Sequence, residues 1–385
     1  MRVTILFAAL VASLTLGGTF VGAAQAGDFD DGLKIVRDPK LLATKSSEAE
    51  RYFRAATKDP KSGKDAWYNL GLLLKMKGDV AGARAAWQSA VGLDPKYNPA
   101  KAQLLGLDLG DASRSASAVA ELERITTEDP FQQDAQNLLT SWKLERATEL
   151  LRTDKKKAAE MFEAARRHGR NVLAGDPDNI HAYLNIAITY YREGLFDQAG
   201  LVAESALESH KDAAALHNVL GLVQLSRDNL RAATDSFLAA LAADPDNDDA
   251  RLNLASIELG YGNFDQALKR FDEVLQSRPN DADVLMSRAV ALRGLGRYDD
   301  AEKGYLAALA VRPGMVEIEY NLCILHQQYI APAAPPAQQA MKYELAKTRC
   351  ENFLARTDKS NPKFGEVTKR VKSIDAVMRT LKKGP

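Results

Sequence analysis

Ala199, Ala233, Ala267 and Ala301 stand 34 residues apart, and Pro245, Pro279 and Pro313 keep the same interval. Gly262 and Gly296 repeat it again; Gly194 shares their phase, and the slot between holds Asp228. A period of this length describes a chain built by stacking copies of one supersecondary unit. It also suits the length, since 385 residues exceed what one small core organises.

With units starting at Ile180, Ala214, Asp248, Ala282 and Val316, each copy reads as two helices. Tyr183, Ile186, Ala187 and Tyr190 fall on one face of the first, at i, i+3, i+4 and i+7. Glycine at unit position 15 can take the left-handed conformation that ends a helix. The second helix carries Ala267, Phe271 and Val274 in one copy and Ala301, Tyr305 and Ala308 in the next. Proline near position 32 closes it.

Upstream, Ala66-Trp67-Tyr68-Asn69-Leu70-Gly71 is followed by Ala83, Trp87, Ala90 and Pro95. Leu105, Gly106, Leu109, Ala118, Leu122 and Pro130 mark another copy, and a half-unit spans Ala49 to Pro60. These residues resemble the tetratricopeptide repeat family. The resemblance implies an all-α fold: a right-handed superhelical solenoid of helix–turn–helix repeats, with first helices lining a concave side. It places repeat units at 48–132 and phased units at 180–357.

Between them, 133–179 reads as an enlarged helical unit, with Gly169 where the family usually carries an aromatic residue. Pro332, Pro335 and Pro336 predict an extended loop at 331–336 that interrupts the last unit. Residues 27–47 read as a linker, and 358–385 as a C-terminal capping helix with Phe364, Val367, Val371, Ile374, Val377, Met378 and Leu381 on its apolar side. The basic opposite side of that helix leaves peripheral association with the cell envelope open.

Residues 1–26 combine Arg2, an apolar run from Val3 to Ala24 and an Ala24-Gln25-Ala26 site. That pattern predicts a cleaved secretory signal peptide and a periplasmic or exported protein. The alternative is an inner-membrane anchor, because the run approaches the roughly 20 residues that span a bilayer.

Lys+Arg and Asp+Glu both total 51, so the basic excess of a nucleic-acid binder is missing. His168, His181, His210, His217 and His326 form no HExxH or similar metal pair. No phosphate loop or GxSxG elbow occurs. The expectation is therefore no enzyme, no metal and no cofactor. The family resemblance sets Cys323 and Cys350 at facing positions of the interrupted hairpin, implying a disulfide; two buried thiols are the alternative.

The resemblance also implies that unit positions 2, 5, 9, 12 and 13 face the groove. They supply Tyr68, Leu72, Lys75, His181, Leu184, Ile188, Tyr191, Arg192, Asn218, Leu222, Met286, Arg293 and Tyr320 as partner contacts. Lys at position 5 and Asn at position 9, which some family members use to grip a C-terminal carboxylate, are missing. The expected function is a protein-binding scaffold of the bacterial envelope, holding a peptide or helix in its groove within a secretion, pilus, motility or polysaccharide-export machine. An accessory subunit positioning a separate enzyme, or a glycan-binding groove, are the alternatives.

Overall fold

The computed structural model describes residues 27–383, so the expected signal peptide at 1–26 lies outside the described residues. Helices and turns account for the described residues, which divide into units meeting at Asn229 and Leu230. The N-terminal unit contains α1 (Asp28–Arg37), α2 (Pro39–Ala56), α3 (Gly63–Met76), α4 (Val80–Leu93), α5 (Asn98–Asp108) and α6 (Ser115–Glu128). It continues with α7 (Gln133–Leu150), α8 (Lys155–Gly175), α9 (Ile180–Glu193), α10 (Phe196–Ser209) and α11 (Ala214–Ser226). The C-terminal unit contains α12 (Leu230–Ala243), α13 (Asp248–Gly260), α14 (Phe264–Ser277), α15 (Ala282–Gly294) and α16 (Tyr298–Val311). After these come α17 (Val316–Leu325), α18 (Ala331–Ala333), α19 (Pro336–Ala355) and α20 (Phe364–Lys383).

Short turns force neighbouring helices to pack as hairpins, and their ends are built from the repeating residues. Gly194, Gly262 and Gly296 adopt φ of 87°, 79° and 73°, the left-handed conformation that stops a first helix. Asp228, in the same phase, is the non-glycine exception at φ 57° and carries the steric cost of that region. At the other ends, Asn179 and Asn247 accept hydrogen bonds from the Ala182 and Ala250 amides, capping α9 and α13.

Within a hairpin, a small residue on one helix receives an aromatic from the other. Trp87 is wholly buried against Gly71, where an added Cβ would lie 2.3 Å from the indole nitrogen. Its Nε1–H donates to the Tyr68 carbonyl at 3.1 Å. Phe271 and Tyr305 are equally buried. Gly169 reverses the arrangement: a Cβ there would meet Ile186 at 2.7 Å, so the missing aromatic lets α9 approach α8. The helices of this segment, α7 and α8, run 18 and 21 residues.

Two expectations need correction. Residues 27–47 are not a linker: α1 and the first half of α2 occupy them. Phe29 and Leu33 are buried, and Phe29 packs edge-on to Phe53 with ring centroids 6.1 Å apart. Gly32 permits this closeness, since a Cβ would lie 2.8 Å from the Phe53 ring. This hairpin is shorter than the repeat, which hides it from a periodicity test. The loop at 331–336 is also narrower than expected. Only Ala334 and Pro335 are extended; Pro336 opens α19, where the absent N–H is not needed, and Pro332 lies in the last turn of the helical run that continues from α17 into α18. A wider π-type turn over His326–Ile330 joins α17 to α18.

Cys323 and Cys350 are bonded, with S–S 2.08 Å and Cα atoms 4.8 Å apart. The bridge ties α17 to α19, and α20 packs on α19, burying Val367 and Ile374 beside both cysteines and Phe353. No described helix is long and apolar enough to cross a membrane.

Candidate partner-binding faces

In the N-terminal unit, first helices touch one another directly: α5 meets α7, α7 meets α9, and α9 meets α11. The C-terminal unit repeats this with α13, α15 and α17. The residues expected as partner contacts lie on the first helices α3, α9, α11, α15 and α17, but their exposure differs.

Tyr68 and Leu72 belong to the hydrophobic core of α1 to α5. Leu184, Ile188, Tyr191, Asn218 and Leu222 are also buried. Unit position gave these seven the right helix, but their side chains are packed inside the protein and not open to a partner. Tyr191 packs on Phe196, ring centroids 5.4 Å apart, and burial pushes its hydroxyl pKa up. Lys75, Arg192, Met286, Arg293 and Tyr320 remain half-buried, and His181 is exposed.

Three of these basic side chains share an electrostatic signature. Surrounding protein displaces water from Lys75, His181 and Arg192 and lowers each pKa; for Lys75, Asp134 opposes the shift. A side chain that solvent reaches, but that protein rings, belongs to a recessed face. Elsewhere buried Arg166 is neutralised by Glu163 and Glu193, and half-buried Arg251 and Arg278 by Asp248 with Glu273 and by Asp248 with Asp249. Among the described residues, Lys75, His181, Arg192 and Arg293 enter no ion pair. Lys75, Arg192 and Arg293 are thus cations without a carboxylate beside them, which costs more in a recess than at an open surface.

Sequence reasoning missed Asp134. Standing in the first turn of α7, it looks like an ordinary helix-start carboxylate, yet it is buried. Oδ1 accepts from the Tyr68 hydroxyl at 2.8 Å and the Gln103 amide at 2.9 Å, and Oδ2 from the Gln132 amide at 3.1 Å. One carboxylate thereby joins α3, α5 and α7. Burial raises its pKa to about 6, against the opposing pull of those donors and Lys75.

This gives a signed pH prediction. With a folded pKa above the ordinary 3.8, Asp134 binds its proton more tightly in the folded chain. Its contribution favours folding below about pH 4 and is lost as pH rises towards 6. Buried His168 works oppositely: burial lowers its pKa to about 4, and its Nδ1 lies 2.6 Å from Gln136 Oε1. The two slopes oppose in the parent, so the difference between parent and variant isolates Asp134. Asp134→Asn is expected to gain roughly 2–3 kcal/mol on the parent between pH 4 and 7 in urea unfolding. A pH-independent difference would contradict the assignment.

Comparisons with known proteins place this geometry. Residues 157–223, 224–291 and 258–321 match a profile described as Tetratricopeptide repeat, and 43–98 match another of the same description. No curated protein matches. Among solved structures, MamA is 26% identical over 42% of this chain and 94% of its own, with a TM-score of 0.36. Cut9, in the APC/C hetero-tetramer Cut9-Hcn1, is 14% identical over 90% of this chain and 83% of that one, at 0.47. YrrB, titled a TPR protein with an unusual peptide-binding site, is 18% identical over 52% and 96%, at 0.36. Scores this low leave each of these structures without bearing on the partner of this chain.

Proposed function

Because this chain belongs to the tetratricopeptide repeat family, we propose that it is a non-enzymatic scaffold holding a segment of another protein against its first helices. One observation carries the reading: Lys75, His181 and Arg192 are reachable, deprived of water and without an ion-pair partner among the described residues. The cations Lys75 and Arg192 favour association when a partner supplies the missing charge, and the His181 imidazole adds a hydrogen-bonding group beside them on the same kind of helix. Two of the three expected groove tyrosines, Tyr68 and Tyr191, are buried, leaving Tyr320 alone to stack on a sugar, which disfavours the glycan alternative. Among the described residues, no group of three or more His, Cys, Asp or Glu side chains is arranged to hold a metal.

The proposed setting is the periplasm or another exported compartment, in an envelope machine. The leader-like residues 1–26 support it, as does the disulfide, a bond that persists in oxidising compartments.

The test is affinity capture from envelope extracts with the parent and the Lys75→Gln, His181→Gln, Arg192→Gln triple variant. The triple variant is expected to retain its partner about tenfold less well or worse, with unchanged helical circular dichroism. Equal retention by both proteins would remove this face from the binding site.

A further inference from the structure

The C-terminal unit carries a second group of cations whose charge is not balanced. Tyr320, at the centre of α17, has the Lys363 ammonium 4.1 Å from its ring centroid. Its hydroxyl donates to Glu366 Oε2 at 3.1 Å. Arg370, one turn along α20, pairs with Glu366 at 2.7 Å and donates to Gln327 Oε1 at 2.8 Å. From α15, Arg293 donates to Oδ1 of Asn321, the neighbour of Tyr320, at 3.2 Å. Two cations of the C-terminal segment, Lys363 and Arg370, and one of α15, Arg293, therefore gather about Tyr320 and its neighbour Asn321, and Glu366 is the one carboxylate among the described residues that pairs with any of them. Glu317, a turn earlier on α17, enters no ion pair among the described residues.

Glu366 is shared between Tyr320 and Arg370, which leaves Arg293 and Lys363 without a carboxylate. Tyr320, Arg293 and Lys363 are all half-buried, so water screens the surplus less than it would at an open surface. The chain's own Glu366 shows which anion the place accepts: a carboxylate, held by a tyrosine hydroxyl and a guanidinium. A guanidinium fork matches a second carboxylate in the same way.

We propose that Arg293, Lys363 and Tyr320 form an anion subsite for a glutamate or aspartate side chain of an acidic peptide segment. The subsite rests on the scaffold reading above and specifies the partner's chemistry. It also gives the C-terminal helix a role beyond covering the last repeat, because Lys363 and Arg370 belong to the segment that caps it.

The test uses fluorescence anisotropy with a labelled peptide of about twelve residues, built from Glu, Ala and Leu and blocked at both ends. Versions with Gln or Lys replacing Glu serve as comparisons. The Glu peptide is expected to bind at least about tenfold more tightly than the Gln peptide, with the advantage shrinking as salt rises. Arg293→Gln with Lys363→Gln should remove that advantage, leave weak Gln-peptide binding unchanged and leave thermal unfolding as in the parent. Arg293→Lys should restore part of it. The proposal is overturned if Glu and Gln peptides bind alike, if no Glu peptide binds up to millimolar concentration, or if the double variant binds as the parent does. It is equally overturned if phosphatidylglycerol vesicles, and not the peptide, depend on Arg293 and Lys363. The Lys75, His181 and Arg192 substitutions lie in the other unit and separate the two readings. Loss of partner there with no effect of Arg293 and Lys363 would retain the scaffold and discard the subsite.

Discussion

Alanine in place of Trp87 is expected to cost about 3–5 kcal/mol, the range for truncating a large buried aromatic. The indole is wholly buried, fills the space opposite Gly71 and donates its N–H to the Tyr68 carbonyl. Gly71 has no side chain with which to refill the gap, so collapse of the cavity is limited. Tyr68, on the same helix, holds Asp134 of α7, which extends the damage beyond one hairpin. Repeat arrays are stabilised by neighbour contacts, so the loss should stay regional. Hydrogen exchange should accelerate through α1 to α5, while the C-terminal unit keeps parent rates. Uniform acceleration of both units, or none in α3 and α4, would contradict this placement of the core.

Breaking the Cys323–Cys350 bond is expected to have the next largest effect. In the chain-entropy model, opening a loop of 27 residues costs roughly 3–4 kcal/mol. The cost falls on a hairpin whose connection is already broken at Ala334 and Pro335. Val367 and Ile374 of α20 pack in the cluster that contains both cysteines. Cys323→Ala with Cys350→Ala should therefore raise exchange in α17, α19 and α20 together, and lower the unfolding midpoint of the C-terminal unit. Non-reducing mass spectrometry of the parent should show a mass two hydrogens below the thiol form. Two free thiols, or an undisturbed α20, would refute the coupling.

The repeat was legible because it is written in small and turn-forming residues. Gly194, Gly262, Gly296 and the phased alanines have one steric function each, which any copy must preserve. The α1–α2 hairpin was not legible, since one hairpin below the repeat length produces no period. Pro336 misled because proline forbids a helix interior but not a first turn, and Pro332 because it follows a π-type turn at the end of its helical run.

Site residues divided along a different line. Unit position located the face, whereas burial depends on how closely neighbouring helices pack, and that is a tertiary quantity. Leu184, Ile188 and Leu222 were covered for this reason, while His181, at the start of its helix, was not. Asp134 escaped notice because its partners Tyr68 and Gln103 lie 66 and 31 residues away. The unpaired state of Lys75, Arg192 and Arg293 was equally hidden: a sequence shows a charge but not whether a distant carboxylate reaches it.

The most direct measurement is photo-cross-linking from a benzoylphenylalanine placed at His181, with the same probe at Leu201 as a control. His181 lies on the recessed first-helix face, and Leu201 is 66% exposed on a second helix. The expected result is one discrete adduct with a second protein from position 181, absent from position 201 and lost when Lys75 and Arg192 become glutamine. Adducts from position 201 alone, or from 181 with no dependence on Lys75 and Arg192, would contradict a partner held on the first-helix face.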